Sequence, residues 1–387
     1  MSLVGPQTDK KVIDVCKKVF GDVGDVCEKI SEWCVKRETP GVQNAIPKGK
    51  VANVFVVIEP LSRLLIRHEA DVLDVTTVPT YAGHSVPAIL HTKLHAVVRR
   101  QMLAMLHEWY DRKGFEELKK DEVTGKYFGD GYKYTCVVRP YARREKGERA
   151  EEAVEGYCKK CPACMIFGYA AMEERTYNVK SRIEGDLYVA PVSETNACVT
   201  VTFNAVDDIT KTTYIGAGPE PTGALYQLRL VEVGTPFIGK IAIKDVTLAE
   251  LMLTLVALAR TTRIGGRVTH FGEIKIHIPA ILFSSYEVGS GYEIANNLLV
   301  KFGGSAVKLE QVLNEVEQYV SRYGNRGILV VDRGLAEKLR ELTQGDVDDI
   351  ILRAWRDSIV FKESLDQFVG RSVEDKGRSR AVGALLE

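Results

Sequence analysis

No run in this chain approaches the roughly 18 consecutive apolar residues that a membrane span requires. The amino terminus, MSLVGPQTDKK, also lacks the apolar core of a secretion signal. Both absences point to a cytoplasmic protein with no membrane partner. Net charge is missing too: 52 Lys plus Arg balance 52 Asp plus Glu, so a polyanion would have to be held by local clusters of basic residues. Cysteine is scarce, with eight in 387 residues, which excludes a secreted disulfide scaffold. No internal repeat or low-complexity tract stands out. No G-K-[ST] phosphate loop occurs, and the glycine pair at 265–266 follows a helical segment instead of lying between a strand and its following helix. Nucleotide hydrolysis and dinucleotide binding are therefore not expected.

What is present is a chain that is 45% apolar, enough for one large domain or two ordinary ones. Val12, Val15, Val19, Val26, Ile30 and Trp33 recur at helical spacing, and Cys16, Cys27 and Cys34 read as helix-face residues. This makes residues 1–49 a helical leader. Lys50 to Ile58 is a β-branched run suited to a buried strand, and Ala88 to Tyr110 follows with helical periodicity. Periodicity then fails over residues 113–182, which read as an insertion. Strands are expected near Leu187–Val189 and Val199–Phe203, and strand composition over Leu225–Ile243. Thr247 and Glu250 form a T-x-x-E capping box ahead of LAELMLTLVALARTT, which stops at Gly265 and Gly266. Ile274, Ile276 and Ile278 alternate with polar residues as in a strand. Residues 286–387 read as a helical carboxyl-terminal region. The order βαββαβ predicts an α+β fold with a ferredoxin-like, RRM-like core over 50–112 and 183–285, in which helices cover one sheet face and nucleic acid commonly takes the other.

Cys158, Cys161 and Cys164 form C-x2-C-x2-C, with Gly156 and Pro162 favouring a tight turn. Three thiolates around one centre suit a structural zinc, which needs a fourth ligand. Cys136, in the same insertion, is chemically matched; His107 and Cys198 are the alternatives. A bacterial ferredoxin run would place a cysteine at 168, where this chain has Gly168.

Basic residues cluster in three places. Lys93 and Arg100 are seven apart and share a helix face, with His95 and Arg99 close by. RPYARREKGER joins Arg143 and Arg144 to the stacking ring of Tyr141. IGGRVTHFG carries Gly265, Gly266 and Arg267, where backbone amides would be free to approach a phosphate.

Taken in order, these segments resemble the RAMP superfamily of CRISPR-associated proteins. GGRVTHFG looks like its glycine-rich loop, CPACMIFG like the cysteine-and-FG segment of its backbone subunits, and VPAILHTKLHAVVRR like their first helix. KTTYIGAGPEPTGALYQLRLVEVGTPFIGKIAI sits where a projecting thumb and the next strand belong, the thumb at about 205–225. The extra cysteine loop and helical carboxyl-terminal region point to the type I-D backbone subunits. The first helix departs from the pattern in opening on His91 and Thr92 instead of small residues.

The resemblance implies a non-catalytic subunit that binds single-stranded CRISPR RNA, stacks in further copies along it and joins other CRISPR interference subunits. It implies phosphate contacts from Lys93, Arg99 and Arg100, from Lys180 and Arg182, and from Gly265, Gly266 and Arg267, with Lys211 and Tyr214 on the thumb. Competing readings are a target-cleaving nuclease using Asp71 or Asp74, a repeat-processing endoribonuclease using His84, His91 or His95, and an interaction scaffold that binds no RNA.

Overall fold

The structure is a computed structural model that describes residues 4–21, 25–67, 75–129, 131–138, 156–170, 177–204 and 225–383. In chain order the helices are α1 (Val4–Phe20), α2 (Val26–Glu32), α3 (His91–Lys113), α4 (Glu116–Lys119), α5 (Pro162–Phe167), α6 (Glu194–Ala197), α7 (Leu248–Ala259), α8 (Gly291–Phe302), α9 (Leu309–Ser321), α10 (Leu335–Arg340) and α11 (Gln344–Gly383). The strands are β1 (Val51–Pro60), β2 (Thr77–Pro79), β3 (Ser85–Ile89), β4 (Ile183–Gly185), β5 (Tyr188–Val189), β6 (Cys198–Asn204), β7 (Leu225–Val231), β8 (Phe237–Lys244), β9 (Ile274–Ser284) and β10 (Ile328–Val331). None of the described helices is long and apolar enough to cross a membrane.

β1 is an interior strand of an antiparallel sheet ordered β10-β9-β1-β8-β5-β3-β2, with β4 also paired to β8. Its sequence explains that position: VANVFVVIEP is apolar on both sides of the pleat, as a strand covered on both faces must be. Val54, Val56 and Ile58 face a core that includes residues of α3, α7 and α11. Phe55 and Val57 face the opposite way, into a second core with Ile294 and Leu298 of α8 and Val312 and Val316 of α9. The expectation of an open sheet face for nucleic acid is thereby overturned, because α8 and α9 present apolar stripes that are buried against that face.

Two further differences from the sequence reading have local causes. The strand composition of Leu225–Ile243 divides into β7 and β8, with a turn at Gly234 between them, and only β8 joins the main sheet. β7 pairs with β6 as a separate hairpin, packed through Leu228 and Leu230 against Leu65. In the carboxyl-terminal region Ile328–Val331 is a strand on the edge of the main sheet, paired with β9. Cys16 and Cys27 lie on helix faces as expected, and they also form a disulfide across the turn between α1 and α2.

Charged groups meet inside the molecule where four parts of the chain converge. Glu250, fully buried in the first turn of α7, completes the capping box with Thr247. It accepts 2.6 Å hydrogen bonds from Arg37 and Arg182, the first from the leader and the second from the segment entering β4. Both guanidiniums lie against the ring of Phe361 in α11, at 4.3 and 4.6 Å. Thr247 donates to Asp357, which in turn accepts from Arg353. Burial alone would raise the Glu250 carboxyl, but Arg182 and Arg37 overcome it and hold the group down to about 2. Burial lifts Asp357 to about 6, only partly offset by Arg353.

The two acids act on stability in opposite senses. The contribution of Glu250 is complete above its ordinary value of 4.5 and is lost as pH falls toward about 2. Asp357 favours the fold while protonated, so its contribution is complete below 3.8 and is lost as pH rises through about 6. Glu250→Gln leaves two buried guanidiniums without a countercharge and is expected to cost about 3–5 kcal/mol in urea unfolding at pH 7. Asp357→Asn should flatten the decline in stability between about pH 4 and 6; an unchanged slope would show that the group titrates normally. Separately, the Cys16→Ser/Cys27→Ser pair should lower unfolding free energy by about 2–3 kcal/mol through the released loop, read as a shifted denaturant midpoint.

Candidate metal centre and nucleic-acid interface

The insertion organises four cysteines around one point. Pro162 starts α5 and Cys161 caps it, its sulfur accepting the Cys164 N–H at 3.4 Å. The same bond repeats one step earlier in the chain, with the Cys161 N–H donated to Cys158 Sγ at 3.3 Å. The Cys158 N–H points to Cys136 Sγ at 3.4 Å, which draws in the extended segment 131–138. All four sulfurs lie within 4.8 Å of one another, a set that could hold a metal ion. Burial and hydrogen bonds within the cluster push the Cys158 and Cys161 thiols well up, while bonds from the other three sulfurs hold Cys164 well down.

The alternatives considered for the fourth position lie elsewhere. His107 spends Nε2 on the carbonyl of Cys136 at 2.7 Å, so it braces the cluster instead of entering it. Cys198 begins β6, with its thiol pushed up by burial to about 11. Gly168 has φ +74° and closes the insertion: a Cβ there would stand 2.3 Å from the carbonyl oxygen of Val179.

Burial divides the expected phosphate contacts. Arg99 is buried, points Nη2 toward Cys164 Sγ at 4.0 Å and stacks over Tyr157 at 4.3 Å. Arg182 is committed to Glu250 and to the carbonyl oxygens of Asp245 and Met165. Both were expected at the surface, yet their guanidiniums are occupied within the fold. Lys180 is exposed and pairs with Glu184 at 2.6 Å. Its neighbour Ser181 bonds His95, and on a helix residue 95 lies about 200° round from residue 93.

The other face of α3 is the open one. Lys93, Val97 and Arg100 fall in line along it, and Val97 and Arg100 share a shallow 240 Å³ groove with Thr261, Thr262 and Arg263. Arg263 was missed in the sequence because it lies past the Arg260 C-cap of α7, in a connection where a lone basic residue reads as ordinary surface. It donates to the carbonyl oxygens of Val268 and Phe271 and braces the glycine loop.

The glycine loop differs from expectation. Gly266 donates its N–H to Leu65 O at 2.8 Å, so that amide is not offered to a phosphate. Gly265 has φ +100°, and a Cβ there would meet the same oxygen at 2.6 Å. The glycines thus admit a neighbouring backbone segment, and Arg267 follows in a left-handed turn at φ 49°. Phe271 at the end of the loop meets Phe203 of β6 at 6.0 Å, joining the loop to the hairpin base.

Of the histidines, His91 and His95 pack together 5.2 Å apart, His95 also against Phe167. Burial lowers both, and His91 and Arg99 help bring His95 to about 4, so both are neutral near pH 7. His84 closes the β2–β3 turn through its carbonyl oxygen. Asp71, Asp74, Tyr141, Arg143, Arg144, Lys211 and Tyr214 lie outside the described residues.

The family model described as Csc2 Crispr matches residues 37–351. No curated protein sequence matches the chain. The crystal structure of Thermofilum pendens Csc2 is similar in fold, with a TM-score of 0.65 and 22% identity, covering 92% of this chain and 98% of that one. A chain of a CRISPR RNA-guided surveillance complex, pre-nicking, gives a TM-score of 0.45 at 12% identity, covering 71% of this chain and 89% of that one.

For the cysteine cluster the expected outcome is about one equivalent of bound metal per chain by native mass spectrometry. Cys164→Ser should abolish it and lower the unfolding temperature, while Cys198→Ser keeps it. Full metal occupancy in Cys164→Ser would move the site elsewhere.

Proposed function

This chain belongs to the Csc2 Crispr family, and we propose that it is a repeating backbone subunit of a CRISPR interference complex, holding single-stranded CRISPR RNA without cutting it. The match over residues 37–351 carries the reading. Further copies of the chain along the RNA and other interference subunits are its partners, in the cytoplasm.

The core is RRM-like in this reading. Taking β1, then β4 and β5 together, β8 and β9 as the four core strands gives the spatial order 4-1-3-2, antiparallel throughout. α3 and α7 supply the two helices of a βαββαβ unit. The covered second sheet face supports an RNA path along the helices and loops instead of across the strands. That path uses Lys93 and Arg100 on α3, Arg263 across the groove, and beyond it Arg267, placed by the turn that Gly265 and Gly266 make against Leu65; Lys180 flanks it, and Lys211 and Tyr214 extend it on the thumb. Arg99 and Arg182 support it from within.

The metal is a structural zinc in this reading. The Cys136–Cys164 and Cys136–Cys161 sulfur distances are 3.5 and 3.7 Å, close to the about 3.8 Å edge of a tetrahedron built on 2.3 Å Zn–S bonds. Zinc bound there ties segment 131–138 to α5. Arg99 adds a positive charge beside Cys164, offsetting part of the negative charge of four thiolates.

Fluorescence anisotropy with a labelled single-stranded RNA over a salt series tests the function. Affinity should fall steeply with salt, and Lys93→Ala, Arg100→Ala and Arg263→Ala should each weaken binding to every sequence and reduce the slope by about 0.7. Binding indifferent to salt, or RNA shortened by the purified protein, would overturn it.

A further inference from the structure

A second basic site lies away from the α3 groove. Residues 31–37 and 44–50 of the leader, residues 180–184, the end of β8 and Phe361 of α11 enclose a cleft of 550 Å³. Seven cationic side chains line it against three carboxylates. Arg37 and Arg182 are spent on Glu250. Lys50 donates to the carbonyl oxygens of Glu32 and Cys34, and Lys244 pairs with Glu184 and Glu287. Lys36 and Lys48, both exposed, have no ion-pair partner among the described residues.

Part of the lining is of another character. Val35, Ala45, Ile46 and Pro47 present apolar surface beside Phe361, and Ile46 remains 49% exposed. An exposed isoleucine sharing the cleft with two lysines that lack ion-pair partners among the described residues suits a ligand with a flat apolar part and an anionic part. An acidic peptide would satisfy the lysines and leave the floor wet. A nucleotide satisfies both, its base against the apolar floor and its phosphate at the rim.

We propose that this cleft is a nucleotide subsite, taking one nucleotide of a single-stranded RNA base-inward over Val35, Ile46 and Pro47 with its phosphate between Lys36 and Lys48. The proposal rests on the RNA-binding reading above and adds a contact separate from the α3 groove. It also gives the leader a role in binding, since both lysines and most of the floor precede β1.

Photocrosslinking of the full chain to a 4-thiouridine-substituted single-stranded RNA, followed by peptide mapping, tests it. The expected result is crosslinks in residues 31–50 as well as in the α3 and glycine-loop peptides. Ile46→Trp, which adds bulk over the apolar lining without altering charge, should remove the crosslinks in 31–50 and spare the others. Lys36→Gln/Lys48→Gln, at exposed positions, should weaken binding about tenfold and flatten the salt slope by about 0.7, as expected for one lost phosphate contact. RNA bound with crosslinks at α3 but none in 31–50 would overturn this proposal alone, as would crosslinks in 31–50 that survive Ile46→Trp. Failure of the wild-type chain to bind RNA would overturn both readings. Displacement by a polyglutamate peptide from 31–50 only, with RNA retained at α3, would reassign the cleft to an acidic protein partner.

Discussion

Glu250 can be ionised in the interior only because two guanidiniums reach it, and that requirement fixes how distant parts of the chain meet. Arg37 arrives from the leader and Arg182 from the segment leaving the cysteine insertion, while Thr247 and Asp357 extend the network into α11. A buried ion triad of this sort contributes modestly to net stability, because desolvation offsets most of the Coulomb attraction. Its effect is on specificity: an arrangement that left any one member unpartnered would be several kcal/mol worse. Two members of the triad, Arg37 and Arg182, also line the leader cleft.

The sheet imposes a second constraint. With α8 and α9 packed on one face of the main sheet and α3, α7 and α11 on the other, neither described face of that sheet is left open to a strand of RNA. In the proposed function the contacts therefore come from helix faces, loop tips and the β6–β7 hairpin. The line Lys93, Val97, Arg100 on α3 and Arg263 across from it occupy one such border. There the phosphates of a single strand can be met by side chains that stay solvated, which keeps the desolvation cost of binding low.

The insertion solves a local folding problem by chemistry instead of by size. Its described segments are short and poor in regular structure, and a region of that kind cannot bury enough apolar area to hold itself together. Three N–H to sulfur bonds and the convergence of four cysteines organise it, and its apolar residues Phe115, Leu118, Phe128, Met165 and Ile166 are buried in the main core. Trp355 of α11 packs against Phe115, Phe128 and Tyr134 and fastens the surrounding residues to the helical side of the molecule.

Much of this was legible in the residues themselves. Spacing alone determined the α7 capping box, the buried β1, the alternation in β9 and the grouping of Cys158, Cys161 and Cys164, because each depends on neighbours a few positions apart. Matching chemistry within the insertion was enough to choose Cys136. Tertiary structure decided everything that depends on which face a neighbour covers. It buried Arg99 and Arg182 beside partners 65 and 68 positions away, turned the glycine pair toward Leu65 and closed the second sheet face. It also brought Lys36 and Lys48 to a cleft with Phe361. The physical reason is that charge and helical period are properties of a segment, whereas exposure and pairing belong to the contacts that segment makes after folding.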